Sequence, residues 1–413
     1  MLLLFNAGYR PLDPVDALFT ATSAVSVTGL VVVDTGKDLA PASQIVLLLL
    51  IQLGGLGVMT ATTTLALLMR ERIGIRQRMY FAGEVGLDSP SGVIRLLVRI
   101  LVLTFAIEGA GAIPLYWGFA RAGLSPSRSL FSAVFHSVSA FCNAGFSLFP
   151  DNLERFSEAV LVPGTVMALV VLGGLGFIVL SELKEALRGP ARLSAHSKLV
   201  LSTTAGLILF GAVTLLACDW NVSLGALSGG WKAWNALFAS ITPRTAGFDT
   251  VSPARFSSAG LFILVLLMIV GASPGSTGGG FKTTTLGILV VSAWSSIKGR
   301  SEIHLWNRRV PFRIVQRAVT VAVLYLGTLG LGLGALALFE PLPFRALLFE
   351  SASALGTVGL SLGITPGLGV PGKLVLVVLM FWGRVGIVTF LYGLIRREAK
   401  GKVSYPDTEI PVG

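Results

Sequence analysis

Charge is scarce in this chain: only 13% of its 413 residues are Asp, Glu, Lys or Arg, about half the share of an ordinary soluble domain. So few charges cannot cover a water-facing surface, and the mean hydropathy of +0.80 points to lipid. Cysteine is nearly absent. Cys142 and Cys218 alone cannot build a disulfide framework. Histidine occurs three times, at His136, His196 and His304, scattered and without metal-ligand spacing. No nucleophile–base pair and no His/Cys/carboxylate cluster stands out, so nothing supports an enzyme and no residue is assigned a catalytic role. A signal-peptide pattern is lacking. No apolar run carries arginine at every third position, which removes a voltage sensor.

What the chain has in abundance is apolar length. Runs of about 18 residues or more are candidates to cross a bilayer. They occur at Ile45–Met69, Ile100–Trp117, Ala159–Leu180, Leu199–Cys218, Ala259–Trp294, Ala318–Phe339 and Leu374–Ile395. The connections are short, so no soluble domain is left over. The expected fold class is an all-α polytopic membrane protein. The net charge of +11 would suit nucleic acid, but its placement excludes that partner: 20 of the 32 Lys and Arg residues fall in four clusters. These are Arg70 to Arg99, Lys184 to Lys198, Lys298 to Arg317 and Arg396 to Lys402. Basic residues mark the cytoplasmic side of a membrane protein, so the expectation is a plasma-membrane protein with a cytoplasmic C-terminus. Anionic membrane lipid is then a natural contact.

Four short stretches organise the rest. Thr357-Val358-Gly359 reads like one strand of an ion-selectivity filter, in which backbone carbonyls replace an ion's water and glycine supplies an angle that a Cβ forbids. Val27-Thr28-Gly29, Asn143-Ala144-Gly145 and Thr245-Ala246-Gly247 match it, each with a large apolar residue after the glycine. The glycines lie 116, 102 and 112 residues apart, a near-fixed period that signals internal repeats. Short apolar segments precede them and predict pore helices at Asp16–Ala24, Leu130–Cys142, Trp234–Ile241 and Phe344–Phe349. The expected architecture is four repeats of helix, pore helix and filter loop, and helix, around one central pore. Their boundaries are expected at residues 1–80, 81–190, 191–300 and 301–413. The leading helix of the first repeat is expected to be truncated or missing, since only Met1–Phe5 and a few residues precede its pore helix. Because the four strands differ, the ring of carbonyls is expected to be only approximately fourfold.

The third repeat departs from the pattern. Its second span is interrupted from Gly271 to Thr283 by five glycines (Gly271, Gly275, Gly278, Gly279 and Gly280) and Pro274, which cannot hold a helix. Broken backbone at membrane depth is tolerated only inside protein or along a wet cavity, so this loop is expected in the permeation path, below the filter. A phosphate-cradling loop is a poor reading of the stretch, because Phe281 separates Gly280 from Lys282 and apolar helix surrounds it. Arg384 is a charge inside an apolar run, and it is expected to bind carbonyls freed by the break and to hold the pore shut. Lys282 would either repel cations or bond the same carbonyls. The Leu53-Gly54-Gly55-Leu56-Gly57 and Leu172-Gly173-Gly174-Leu175-Gly176 motifs suit close helix packing or pore lining. Glu108, inside a span, is either a structural acid or the ion site of a coupled cation symporter. Asp34, Asp151 and Asp249 lie near the expected mouth, as solvated loop or as cation attractors. Arg244 is expected to brace the third filter's backbone or pair with an acid.

Together the four filter stretches, the Gly271–Lys282 break and Arg384 resemble the Trk/Ktr/HKT superfamily of potassium transporters across nearly the whole chain. Ktr-type membrane subunits are the best match, because the extra N-terminal helices of the Trk branch are absent. The resemblance implies potassium as the transported ion, since Gly29, Gly145, Gly247 and Gly359 are all glycine. Sodium-selective plant members carry serine at the first of these positions. It further implies a homodimer with one pore per subunit, resting on a cytosolic ring of nucleotide-binding RCK-type regulatory subunits. Sodium dependence is common in Ktr systems, and no organic cofactor is implied for this chain.

Overall fold

The computed structural model describes residues 6, 9, 11–57, 93–187, 189, 193–300 and 302–386. Parts of the Ile45–Met69 and Leu374–Ile395 runs, the Arg70–Arg78 cluster and the Arg396–Lys402 cluster lie outside the described residues. Thirteen α-helices are present among those described. In chain order they are α1 (Pro14–Val25), α2 (Pro41–Leu56), α3 (Val93–Arg121), α4 (Pro126–Phe141), α5 (Leu161–Leu175), α6 (Phe177–Ala186), α7 (Ala195–Asp219), α8 (Gly229–Ile241), α9 (Ser258–Ile269), α10 (Thr283–Ile297), α11 (Phe312–Phe339), α12 (Phe344–Gly356) and α13 (Val370–Val385). One small exception to an all-helical fold is an antiparallel pair, β1 (His304–Leu305) and β2 (Arg308–Arg309), closed through Trp306 and Asn307 with left-handed backbone.

By length and composition α3, α7 and α11 each suffice to cross a membrane, and α5 with α6 would make a fourth as one bent span. The short helices α1, α4, α8 and α12 precede the four tripeptides, and their interior positions are largely buried. They run longer than the sequence suggests. Proline at the first turn starts α1 and α4 two to four residues early, since its fixed φ suits that position and its missing N–H is not needed there. At the other end of the chain, α12 continues through Gly356 to the edge of the tripeptide, where an end at Phe349 was expected.

The run Ala159–Leu180 is not one straight helix. Gly176, at φ 92°, breaks it, and α5 and α6 meet at 104°. Gly57 and Gly386 end α2 and α13 with the same left-handed turn (φ 85° and 84°). The interruption expected only between α9 and α10 therefore has a counterpart at Gly176, after the second tripeptide.

Packing between neighbours is cyclic. Each helix that follows a tripeptide lies against the next of these short helices: α2 on α4, α5 on α8, α9 on α12, and α13 back on α1. The last contact closes the ring between the two ends of the chain. A half-sequestered ion pair pins it, with Lys373 Nζ 2.6 Å from Asp16 Oδ1.

Candidate functional site: a ring of four tripeptides

All four tripeptides adopt one conformation. Their first residues, Val27, Asn143, Thr245 and Thr357, have φ of 56°, 60°, 73° and 51°, and their glycines 91°, 69°, 74° and 93°. Positive φ at four non-glycine residues in matching places is costly, so it marks an imposed shape. All twelve residues are brought together. A methyl group placed on Gly29 would lie 2.4 Å from Ala144 O, and on Gly145 it would lie 2.6 Å from Ala246 O. On Gly247 it would lie 2.4 Å from Val358 O, and on Gly359 2.1 Å from Thr28 O. Each glycine thus faces the middle carbonyl of the next tripeptide, in the order one, two, three, four, one. Backbone approaches backbone around a single axis.

The short helices before the tripeptides hold this shape from behind. Thr28, Ala144 and Val358 donate their N–H groups to Ser23, Ser139 and Ser353 carbonyls, the same five-residue step each time. Ser23 and Ser353 hydroxyls also accept from the N–H of Gly29 and Gly359 (3.1 and 3.0 Å). The third tripeptide differs: Pro243 interrupts the turn, and Ala246 N–H bonds Thr242 O four residues back. Asn143 crosses to the neighbouring strand, its Oδ1 accepting from Thr245 Oγ1 (3.0 Å) while its amide donates to Ala140 O and Val170 O.

Residues 270–282 form the non-helical segment expected from the sequence, and it lies against the ring. Thr277 Oγ1 donates to Phe141 O (3.0 Å), and Gly279 N–H donates to Thr357 Oγ1 (3.1 Å). The segment also satisfies the break at Gly176, where Phe177 N–H donates to Gly275 O (2.9 Å). Gly271 N–H returns to Phe281 O (2.8 Å), and Gly280 N–H reaches Gly383 O (3.2 Å). This is how irregular backbone survives away from water: its polar groups are paired inside the protein. Arg384 donates to Thr277 O and to Gly54 O, joining the loop to the end of α2 as well as to α13. Lys282 Nζ donates to Gly278 O (2.9 Å), the contact expected of its carbonyl-binding role.

The glycine pairs on α2 and α5 are packing surfaces. A methyl on Gly54 would sit 2.2 Å from Val25 O, and one on Gly173 1.9 Å from Phe141 O. Gly383 on α13 meets Leu355 O in the same way. Glu108 is buried on α3 and accepts from Cys142 Sγ (3.8 Å), the residue between α4 and the second tripeptide, with no hydrogen bond to a tripeptide residue among the described ones. Arg244 corrects its expectation. The one side-chain hydrogen bond of its guanidinium among the described residues goes to Thr204 Oγ1 (3.4 Å), its Nε has no partner, and its depressed basicity comes from burial with no acid beside it.

The three acids of the loops separate. Asp34 Oδ1 accepts from the N–H groups of Gly36 and Lys37, a local turn. Partial burial pushes the Asp151 carboxyl up, but bonds from Arg155 outweigh this and leave it below the usual carboxylate range. Asp249 behaves oppositely. Burial first, then the charges of Glu154 and Asp151, hold its carboxyl well above the usual range, and its Oδ1 has no hydrogen-bond partner. A carboxyl with a raised folded value is favoured by folding only while protonated. Stability is then lost as pH rises from about 4, the unfolded value, towards the folded one. Asp249→Asn is therefore expected to raise the unfolding temperature in detergent at pH 8, with a smaller gain at pH 5. Equal or reversed gains would contradict this.

An all-helical membrane fold whose four hairpins close on one axis defines an integral membrane protein of the ion-transport class. The chain belongs to the TrkH cation transport protein family, whose pattern it matches over residues 4–398. It is 36% identical over 419 residues to the Ktr system potassium uptake protein B of Bacillus subtilis, covering 100% of this chain and 93% of that one. Identity is likewise 36% over 407 residues to the potassium/sodium uptake protein NtpJ of Enterococcus hirae, with 97% and 90% covered. The crystal structure of the potassium transporter TrkH from Vibrio parahaemolyticus shares the fold, with a TM-score of 0.73 at 20% identity over 93% of this chain and 79% of that one.

Proposed function

We propose that this chain is the membrane subunit of a potassium uptake system in the plasma membrane, with its C-terminus cytoplasmic. The observation that carries the reading is the cyclic approach of Gly29, Gly145, Gly247 and Gly359 to the carbonyls of Ala144, Ala246, Val358 and Thr28. Carbonyls of Val27, Thr28, Gly29, Asn143, Ala144, Gly145, Thr245, Ala246, Gly247, Thr357, Val358 and Gly359 would replace the water shell of K+. The C-terminal ends of α1, α4, α8 and α12 would each add about half a negative charge facing the ion. The four repeats would span 1–80, 81–190, 191–300 and 301–413.

The segment 271–283 would be the gate. Its glycines Gly271, Gly275, Gly278, Gly279 and Gly280 let the chain lie against the ring. Lys282 and Arg384 hold its carbonyls in the closed position. Opening would be driven by a cytosolic nucleotide-binding RCK-type ring beneath a homodimer. Sodium is the second candidate ion, supported by the relative named for both potassium and sodium uptake. A coupled symporter built on Glu108 is less well supported, since that side chain reaches Cys142 and has no hydrogen bond to a tripeptide residue among the described ones.

The test is growth at low potassium and rubidium uptake in cells stripped of their own potassium uptake systems. Expression of this chain with a Ktr-type regulatory subunit is expected to restore both. Failure of both, with the protein present in the membrane, would contradict the reading.

A further inference from the structure

The short helices do not support the four tripeptides equally. His136 lies nine residues before the second glycine, and Glu350 nine before the fourth. Both are fully buried. Each reaches the serine two residues after its own glycine. His136 Nε2 is 3.0 Å from Ser147 Oγ, and Glu350 Oε2 accepts from Ser361 Oγ at 2.9 Å. Because His136 Nδ1 bonds Ser132 O (2.7 Å), that nitrogen carries the proton and Nε2 accepts from the serine. The two serines sit in matching turns: Phe149 N–H donates to Ser147 Oγ (3.1 Å), and Gly363 N–H donates to Ser361 Oγ (2.9 Å). Thr365 Oγ1 adds a second hydroxyl on Glu350. Different side chains at one register position thus make one contact.

The first and third hairpins lack it. At the same distance from the glycine the first has Thr20, whose Oγ1 has no hydrogen-bond partner, and Val31 stands in the serine's place. The third has Phe238, and Asp249 stands in the serine's place. There the space between helix and loop is a crevice lined by Phe238, Ala239, Thr242, Asp249 and Leu360, with Asp249 Oδ1 unbonded. In the ring order one to four, the two hairpins with this contact face each other across the axis, and so do the two without it.

We propose that His136 and Glu350 are positioning residues that brace the filter along one diagonal, fixing the loops behind carbonyls two and four; the first tripeptide has no matching contact and the third is held differently, by Asn152 Nδ2 on Gly247 O (3.2 Å). Such a filter is not fourfold in stiffness. Ion discrimination that needs carbonyls held at a set spacing is then carried mainly by the braced pair. Rigid support behind the contact atoms sets how well a site distinguishes ligands. This rests on the potassium-filter reading above.

The experiment is the ratio of rubidium to sodium uptake by the full chain in cells lacking other uptake systems, a ratio independent of expression level. Ser147→Ala and Ser361→Ala are each expected to lower it about fivefold, the factor that corresponds to one ordinary hydrogen bond. Glu350→Ala should do the same, and Glu350→Gln, which keeps an acceptor oxygen, should restore most of it. Thr20→Val, at the matching position of the first hairpin, should leave it unchanged. A selective wild type whose serine variants stay equally selective, or a Thr20→Val effect as large as theirs, overturns the brace. A wild type with no selectivity sinks the potassium reading itself, and this proposal with it.

Discussion

Gly359→Ser is expected to abolish most of the preference for potassium over sodium while leaving the protein in the membrane. The added Cβ would lie 2.1 Å from Thr28 O and 3.0 Å from the Gly29 Cα, both backbone atoms that cannot swing aside. The residue also has φ of 93°, where an L side chain is strained. Relief can come only by displacing the carbonyls of the first tripeptide, the atoms proposed to touch the ion. Backbone strain of this kind costs about 1–3 kcal/mol, and each 1.4 kcal/mol misplaced between two ions is about tenfold in discrimination. Loss of roughly tenfold or more in the rubidium-to-sodium uptake ratio is the expected readout. Gly145→Ser should be milder, since its nearest carbonyl, Ala246 O, is at 2.6 Å. Equal selectivity in wild type and Gly359→Ser would contradict the filter assignment.

Arg384→Ala should raise flux and blunt regulation. The guanidinium donates to Thr277 O in the broken segment and to Gly54 O at the end of α2, so one side chain holds the loop to two parts of the ring. Hydrogen bonds from a charged donor contribute about 1.5–3 kcal/mol each. Losing two would shift a closed–open balance by roughly tenfold or more towards open. Lysine cannot reproduce the planar, two-ended fork, so Arg384→Lys should fall between wild type and alanine. Rubidium uptake measured with and without the nucleotide-loaded regulatory subunit separates the outcomes. Faster uptake that no longer responds to the subunit supports the tether, and unchanged flux and response would remove it.

Much of this site could be read from the chain. The four tripeptides announce themselves by glycine spacing, and the 271–283 break by a glycine and proline density no helix tolerates. Arg384 stands out as a charge in apolar sequence, and the carbonyls it needed were foreseeable because a broken helix frees them. Other features were out of reach. The 104° bend at Gly176 turns on a single glycine, and one glycine in an apolar run reads equally as close packing, as Gly173 beside it in fact is. Left-handed backbone at Val27, Asn143, Thr245 and Thr357 is imposed by the ring, against the local preference of valine and threonine, so no propensity could reveal it. Arg244 misled in the opposite way. It is expected to brace the third filter's backbone or pair with an acid, yet the one side-chain hydrogen bond of its guanidinium among the described residues goes to Thr204. His136 and Glu350 were legible only in hindsight. Their shared offset of nine residues from a glycine is visible in the sequence, but one is a base and the other an acid, and only the serines they reach reveal a common task.

The most direct measurement of the central claim is the position of a heavy potassium surrogate in the purified protein. Crystals grown in rubidium, examined by anomalous scattering at the rubidium edge, are expected to show density on the axis enclosed by Gly29, Gly145, Gly247 and Gly359. Several peaks along that axis should lie within coordination distance of the tripeptide carbonyls and vanish when rubidium is replaced by sodium. Rubidium bound at Glu108 or elsewhere off the axis, with the ring empty, would contradict the account.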